Sequence, residues 1–236
     1  MISMKVSGIS ILIFIFFCSN SPAQTDGYFI YPQSIHAGDY FSTIGLLTAS
    51  LPEDQVEEAS SMIRGPLFTY QGLYGLENNF QLYGGVYTNI ITFHFSVGPK
   101  WGLTFNKFAF KVGYDIAYWF GKLEQFGFQS KIRGWISYPN LALGYEFKKF
   151  AISVKGELII LTHLTEKQDN IEISTNRNSF AGMTLGIYIE QPLWKKNYML
   201  FGLKINYTKF YYPTWAAFAT FDRYLYIPEI VLGINL

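Results

Sequence analysis

From about residue 38 to the C-terminus, apolar side chains recur at every second position, and this period limits what the chain can fold into more than any other feature. In the run from Phe110 to Tyr118, every even position is apolar, and the odd positions hold Lys111, Gly113, Asp115 and Ala117. Leu141, Leu143, Tyr145 and Phe147 alternate with Ala142, Gly144 and Glu146, and Met199, Phe201, Leu203, Ile205 and Tyr207 alternate with Gly202, Lys204 and Asn206. A strand turns successive side chains to opposite faces, so such a run has one apolar face and one polar or small one. A helix would scatter the same residues around its circumference.

Breaks in the alternation predict ten strands, over 38–50, 66–75, 80–88, 92–103, 108–120, 138–147, 150–162, 180–191, 197–209 and 223–236, with eight strands as the alternative. Leu82 and Val86 put the apolar face on even numbers, whereas Phe93, Phe95, Val97 and Trp101 put it on odd ones. A turn near Thr88-Asn89 resets the phase. The gaps at 76–79, 104–107, 148–149 and 192–196 are short, and those at 51–65, 121–137, 163–179 and 210–222 are long. Short turns on one rim and long loops on the other describe an all-β, antiparallel, up-and-down transmembrane β-barrel, with both ends on the short-turn side. Trp101, Trp119, Phe120, Tyr138, Trp194, Tyr198, Tyr207 and Phe210 lie near strand ends, where interfacial aromatic girdles belong.

Composition agrees. Aromatic residues make up 19% of the 236 and charged residues 15%, and the mean hydropathy is +0.14. Beyond the N-terminus no run approaches the ~18 apolar residues of a spanning helix. Eighteen Lys and Arg against seventeen Asp and Glu leave no basic excess, so nucleic acid is not an expected partner.

Residues 1–23 read as a cleavable signal peptide: Lys5 charges its start, Ile9 to Phe17 form its apolar core, and Ser19 to Ala23 supply small residues for cleavage. Residues 24–236 then form a single barrel domain. The sole cysteine, Cys18, leaves with the signal, which removes disulfides and thiol chemistry. Over 51–65, Ser50-Leu51-Pro52-Glu53 resembles a capping box and predicts a short helix. Glu166–Ser179 reads as a polar, mobile loop.

The final strand ends in alternating Ile230, Leu232, Ile234 and Leu236. Here the chain resembles small bacterial outer-membrane β-barrels, whose last strand carries an alternating apolar signal read by the barrel-insertion machinery; many of them end in Phe, and this one ends in Leu236. The stretch from Gly65-Pro66-Leu67-Phe68-Thr69-Tyr70 to Val97-Gly98-Pro99-Lys100-Trp101 looks like that of Bacteroidetes-type barrels with no activity attached to them. The resemblance implies residence in the outer membrane, with its lipid and the insertion machinery as partners.

Chemistry is thin. His94-Phe95-Ser96 resembles the His and Ser pair of outer-membrane lipid A deacylases, yet Phe108 stands where a carboxylate would orient the imidazole. His36, His94 and His163 lie at no metal-ligand spacing. No catalytic residue, cofactor or metal is therefore expected. With the apolar face outward, the inward positions carry Lys100, Lys111, Lys155 and Lys204 against Asp115, Glu146, Glu157, Glu190 and Glu229. Such a near balance in a narrow barrel predicts an ion-pair network that plugs the lumen. The apolar segment 210–222, with Tyr211, Tyr212, Trp215, Phe218 and Phe221, is a candidate external contact loop for an unidentified surface ligand or protein; the competing reading folds these rings back over the barrel mouth. The expected role is structural or surface-interacting rather than enzymatic. A narrow porin is the first alternative, and a lipid-modifying enzyme the second.

Overall fold

A computed structural model describes residues 27–50, 64–89, 91–125, 128–168, 171–194, 197–215 and 223–236. The signal segment lies outside these residues, as does the helix expected over 51–65 apart from Arg64 and Gly65, which open a strand. Ten strands follow in order: β1 (Tyr40–Ser50), β2 (Arg64–Gly75), β3 (Phe80–Thr88), β4 (Thr92–Phe105), β5 (Phe108–Gln125), β6 (Phe128–Glu146), β7 (Ala151–Gln168), β8 (Ile171–Trp194), β9 (Asn197–Thr208) and β10 (Leu225–Asn235). Each pairs antiparallel with its sequence neighbour. β1 and β10 close the barrel in the register Thr43↔Asn235 to Ala49↔Glu229, so no edge is left along this seam.

The expected positions of all ten strands hold, but two long loops do not exist as loops. β5 and β6 stay paired up to Gln125↔Phe128, and β7 and β8 up to Gln168↔Ile171. Segments 121–137 and 163–179, including Glu166–Ser179, are therefore mostly strand. Ile171–Phe180 pairs with β7 alone, since bonding to β9 and the residue after it begins at Ala181, whose carbonyl accepts the Lys209 N–H, and at Gly182↔Thr208. The result is a four-stranded projection standing above one rim. Alternation fails to mark it for two reasons. Above the apolar belt the polarity reverses, with Ile132 and Leu164 facing in and Lys122 and Arg133 facing out, and bulges between Trp135/Ile136, Ile159/Ile160 and Glu166/Lys167 shift the phase.

The wall has inverted polarity. Ile44, Val97, Leu143, Leu185, Ile187, Leu203 and Ile205 on the outside are each more than half exposed, whereas the inward Lys100, Asp115, Glu190 and Glu229 are buried. A soluble barrel would place these two sets the other way round. Outward rings gather near the strand ends, with Phe105, Phe108, Phe147 and Trp194 at the short-turn rim and Phe120, Trp135, Phe180 and Tyr226 at the other. Four residues expected in these girdles face inward instead. Trp119 is fully buried, Phe210 is buried beside it with Tyr138 packed against them, and Tyr198 packs against Tyr28 within the barrel end. Each of the three that lie in strands, Trp119, Tyr138 and Tyr198, is on the inward phase, so strand parity decides the face over ring chemistry.

Candidate functional site: a lumen filled from both ends

At the short-turn end, residues 27–36 enter the barrel. Glu190, on the last inward turn of β8, meets them with its carboxylate. Its Oε1 accepts the Phe29 N–H at 2.6 Å, its Oε2 accepts the Tyr31 N–H at 2.6 Å, and the Ile30 N–H lies 3.1 Å from both. The Asn235 amide donates to Glu190 Oε1 at 2.8 Å and to the Gly27 carbonyl at 2.8 Å. Three backbone donors that would otherwise be buried unpaired are thus satisfied by one charged acceptor. Gln81 Nε2 donates to the Gln33 carbonyl at 2.8 Å, and Ser34 Oγ to the Gly102 carbonyl at 3.0 Å. The Tyr31 ring and Pro32 lie over Gly144, where a Cβ would come within 2.6 Å of both. The Tyr31 hydroxyl donates to the Lys107 carbonyl; burial, aided by the Glu146 carboxylate, pushes its pKa up to about 12, so it keeps its proton.

Midway up the barrel three ion pairs lie along the inner wall. Lys100 Nζ meets Asp115 Oδ2 at 2.7 Å, Lys155 Nζ meets Glu157 Oε1 at 2.6 Å, and Lys204 Nζ meets Glu229 Oε2 at 2.7 Å. Asn140 bridges the first pair, donating to Asp115 Oδ2 at 2.9 Å and accepting from Lys100 at 3.3 Å. Tyr211 donates to Glu229 Oε1 at 2.5 Å; burial and that carboxylate hold its hydroxyl well above the ordinary tyrosine range. Above the pairs is a cavity of about 80 Å³ lined by His94, Tyr138, Tyr212, Glu157, Lys204 and Glu229. It has room for a small cluster of waters.

The upper end is capped by the segment following β9. Phe210 and Trp215 join Trp119, Ile132, Ile136, Leu161 and Leu164 in one apolar cluster on the inner face of the projection. The Trp215 indole N–H donates to Thr92 Oγ1 at 2.9 Å, and Asn89 Nδ2 donates to the Pro213 carbonyl at 2.7 Å. Tyr212 stacks on His94 at 4.5 Å between ring centres. Gly121 leaves the space in which the indole sits, since a Cβ there would lie 2.3 Å from Trp215 Nε1. We therefore expect Gly121→Val to unseat the cap. Protease cleavage within 210–224 of the detergent-solubilised barrel should accelerate at least tenfold, while the closed wall keeps its heat-dependent gel mobility. Unchanged cleavage would show that Trp215 does not need this seat.

Of the nine residues expected to pair in the lumen, six form the three pairs above. Glu190 pairs with backbone and Asn235 rather than with a lysine. Lys111 is buried with no acid in ion-pair contact among the described residues, and Glu146 sits half-buried at the short-turn rim. Tyr211 and Trp215 do not form an exposed contact loop. Both are buried: Trp215 lies on the apolar inner face of the projection, and Tyr211 packs with Ala49, Leu225 and Ile227 of β1 and β10, surfaces that shelter the rings from water. Tyr212 is half-buried beneath the same cap, and Phe218 and Phe221 lie outside the described residues. His94 shares a 3.2 Å hydrogen bond with Tyr138, and no carboxylate bonds to it among the described residues. Among those residues no group of His, Cys, Asp or Glu side chains could hold a metal. The N-terminal segment is the feature that strand reading missed. Its signal is Tyr28-Phe29-Ile30-Tyr31, four consecutive apolar residues outside any strand that must be buried somewhere.

No family model matches the chain, and no curated protein does. Several solved structures resemble it. Neisserial surface protein A is 11% identical, with 84% of this chain and 96% of that one aligned and a TM-score of 0.40. The translocator domain of the autotransporter NalP from Neisseria meningitidis is 10% identical over 83% and 87%, with a TM-score of 0.43. The Ralstonia pickettii toluene transporter TbuX is 11% identical over 85% and 74%, with a TM-score of 0.40.

Proposed function

We propose that this is an outer-membrane β-barrel with a closed lumen, whose outward role is carried by the projection of β5–β8 rather than by passage of a solute. The carrying observation is the lumen itself, filled by residues 27–36 at one end, by three ion pairs in the middle and by the Phe210–Trp215 cap at the other. An exterior of contiguous Leu, Ile, Val and Phe needs lipid around it, because in water it would be an aggregation surface. A closed barrel is one of the two backbone arrangements that satisfy every peptide group in hydrocarbon. A water-filled channel needs a wider barrel than ten strands, or an interior free of large side chains.

The projection supports a contact role outside the membrane. It is braced by strand pairing on both hairpins and by the apolar cluster beneath, and its outer side presents Lys122, Glu124, Arg133 and Glu172. A rigid polar sheet above the rim can meet a partner without first being ordered. The protein should fractionate with outer membranes, change gel mobility on boiling, and give no steady current in a planar bilayer. Sizeable open-channel currents from the wild type would replace this reading with a narrow porin.

A further inference from the structure

Below the ion pairs and above Phe29 and Ile30 lies a second, smaller cavity of about 30 Å³. Its lining includes Lys100, Lys111 and Lys155 together with Gln71 and Asn140, and no carboxylate. Lys100 and Lys155 each have an acid partner just outside the cavity, Asp115 at 2.7 Å and Glu157 at 2.6 Å. Lys111 has none. It is 5% exposed, and neither an ion pair nor a hydrogen bond reaches it from the described residues. The one other buried acid at this level, Glu190, already accepts from three backbone N–H groups and Asn235.

A buried ammonium with no acceptor in hydrogen-bond contact is one of the more costly arrangements in a protein interior. We infer that this cavity is a binding site for one small monovalent inorganic anion of halide size, held by Lys111 with Lys100, Lys155 and Gln71 around it. Both size and charge select the ligand. The lining presents three ammonium groups and no carboxylate, so it takes an anion, and because Asp115, Glu157 and Glu190 just outside already balance those charges, a single negative charge is the most it admits. The volume admits one or two particles the size of water, which excludes sulfate and phosphate. Phe29 and Ile30 form the floor, so the anion and the N-terminal plug hold each other in place, and the ion enters as the barrel folds.

The test uses the full mature chain refolded into detergent with sodium bromide, or with sodium gluconate at equal ionic strength. Crystals from the bromide preparation should show an anomalous peak at the bromine edge beside Lys111 Nζ. Bromide should raise the thermal transition, read by heat-dependent gel mobility, by about 4 °C over gluconate. Lys111→Gln should lose both the peak and the difference. Ordered density at Lys111 with no anomalous peak overturns the site, as does a bromide peak confined to the surface. Equal transitions in the two salts overturn it as well. If Lys111→Gln fails to refold, the wild-type anomalous map still decides.

Discussion

Glu190→Ala is expected to release residues 27–36 from the barrel while leaving the wall closed. The substitution removes the acceptor for the N–H groups of Phe29, Ile30 and Tyr31 and for one Asn235 donor. Each buried donor left unpaired costs about 1–3 kcal/mol, so the combined loss is on the order of 4 kcal/mol or more. The hydrogen bonds that remain, such as Gln81 to Gln33 and Ser34 to Gly102, are single neutral ones worth roughly 1 kcal/mol each, beside the apolar packing of Tyr28, Phe29, Tyr31 and Ile35. The wall does not depend on the segment, because its ten strands bond one another all the way around. A protease cutting after aromatic residues should therefore trim Glu190→Ala at Tyr28 to Tyr31 at least tenfold faster than wild type, with unchanged heat-dependent gel mobility. Glu190→Gln keeps one acceptor oxygen and should fall between the two. Trimming of Glu190→Ala at the wild-type rate would show that the aromatic contacts, not the carboxylate, hold the plug.

The sequence exposes the strands where a strand must face hydrocarbon on one side. That is why 80–88 and 197–209 can be placed almost to the residue. It stops marking them where that demand ends. Lys122, Glu124, Lys131 and Lys167 sit in extended, paired backbone, yet nothing in their order distinguishes a strand above the membrane from a loop. The projection is thus invisible to alternation, although its backbone hydrogen bonding continues that of the barrel.

The site divides along the same line. Parity placed Lys100, Asp115, Lys155, Glu157, Lys204 and Glu229 inside the barrel, because inward or outward facing is a local property. The contacts they make are not local to one strand in every case. Lys155 and Glu157 are two apart on β7, but Lys204 and Glu229 meet across the β9–β10 ladder, in the register Glu229↔Lys204. The destination of Glu190 depends on residues 27–36, some 160 positions away, which carry no period of their own. The Phe210 and Trp215 rings likewise find an apolar surface that exists only once the two tall hairpins stand side by side.

Glu229→Ala is expected to cost about 3–5 kcal/mol, the usual range when one partner of a buried pair is removed. Its carboxylate holds Lys204 Nζ at 2.7 Å and the Tyr211 hydroxyl at 2.5 Å, and its own side chain is 2% exposed against 18% for that of Lys204, so the stranded ammonium keeps only partial access to water. The exposed pair Lys122–Glu124 provides the contrast. At 3.6 Å, with side chains 56% and 68% exposed, it should contribute within about 1 kcal/mol of nothing. Both can be measured by urea titration of the refolded barrel, read by the same mobility shift. Combining Lys204→Met with Glu229→Leu and Tyr211→Phe should recover most of the loss, because the penalty comes from stranding a charge rather than from lacking a pair. If Glu229→Ala is no worse than Glu124→Ala, water reaches Lys204 freely. The lumen would then be wet enough to conduct, and the closed-barrel reading would fail together with the ion-pair argument.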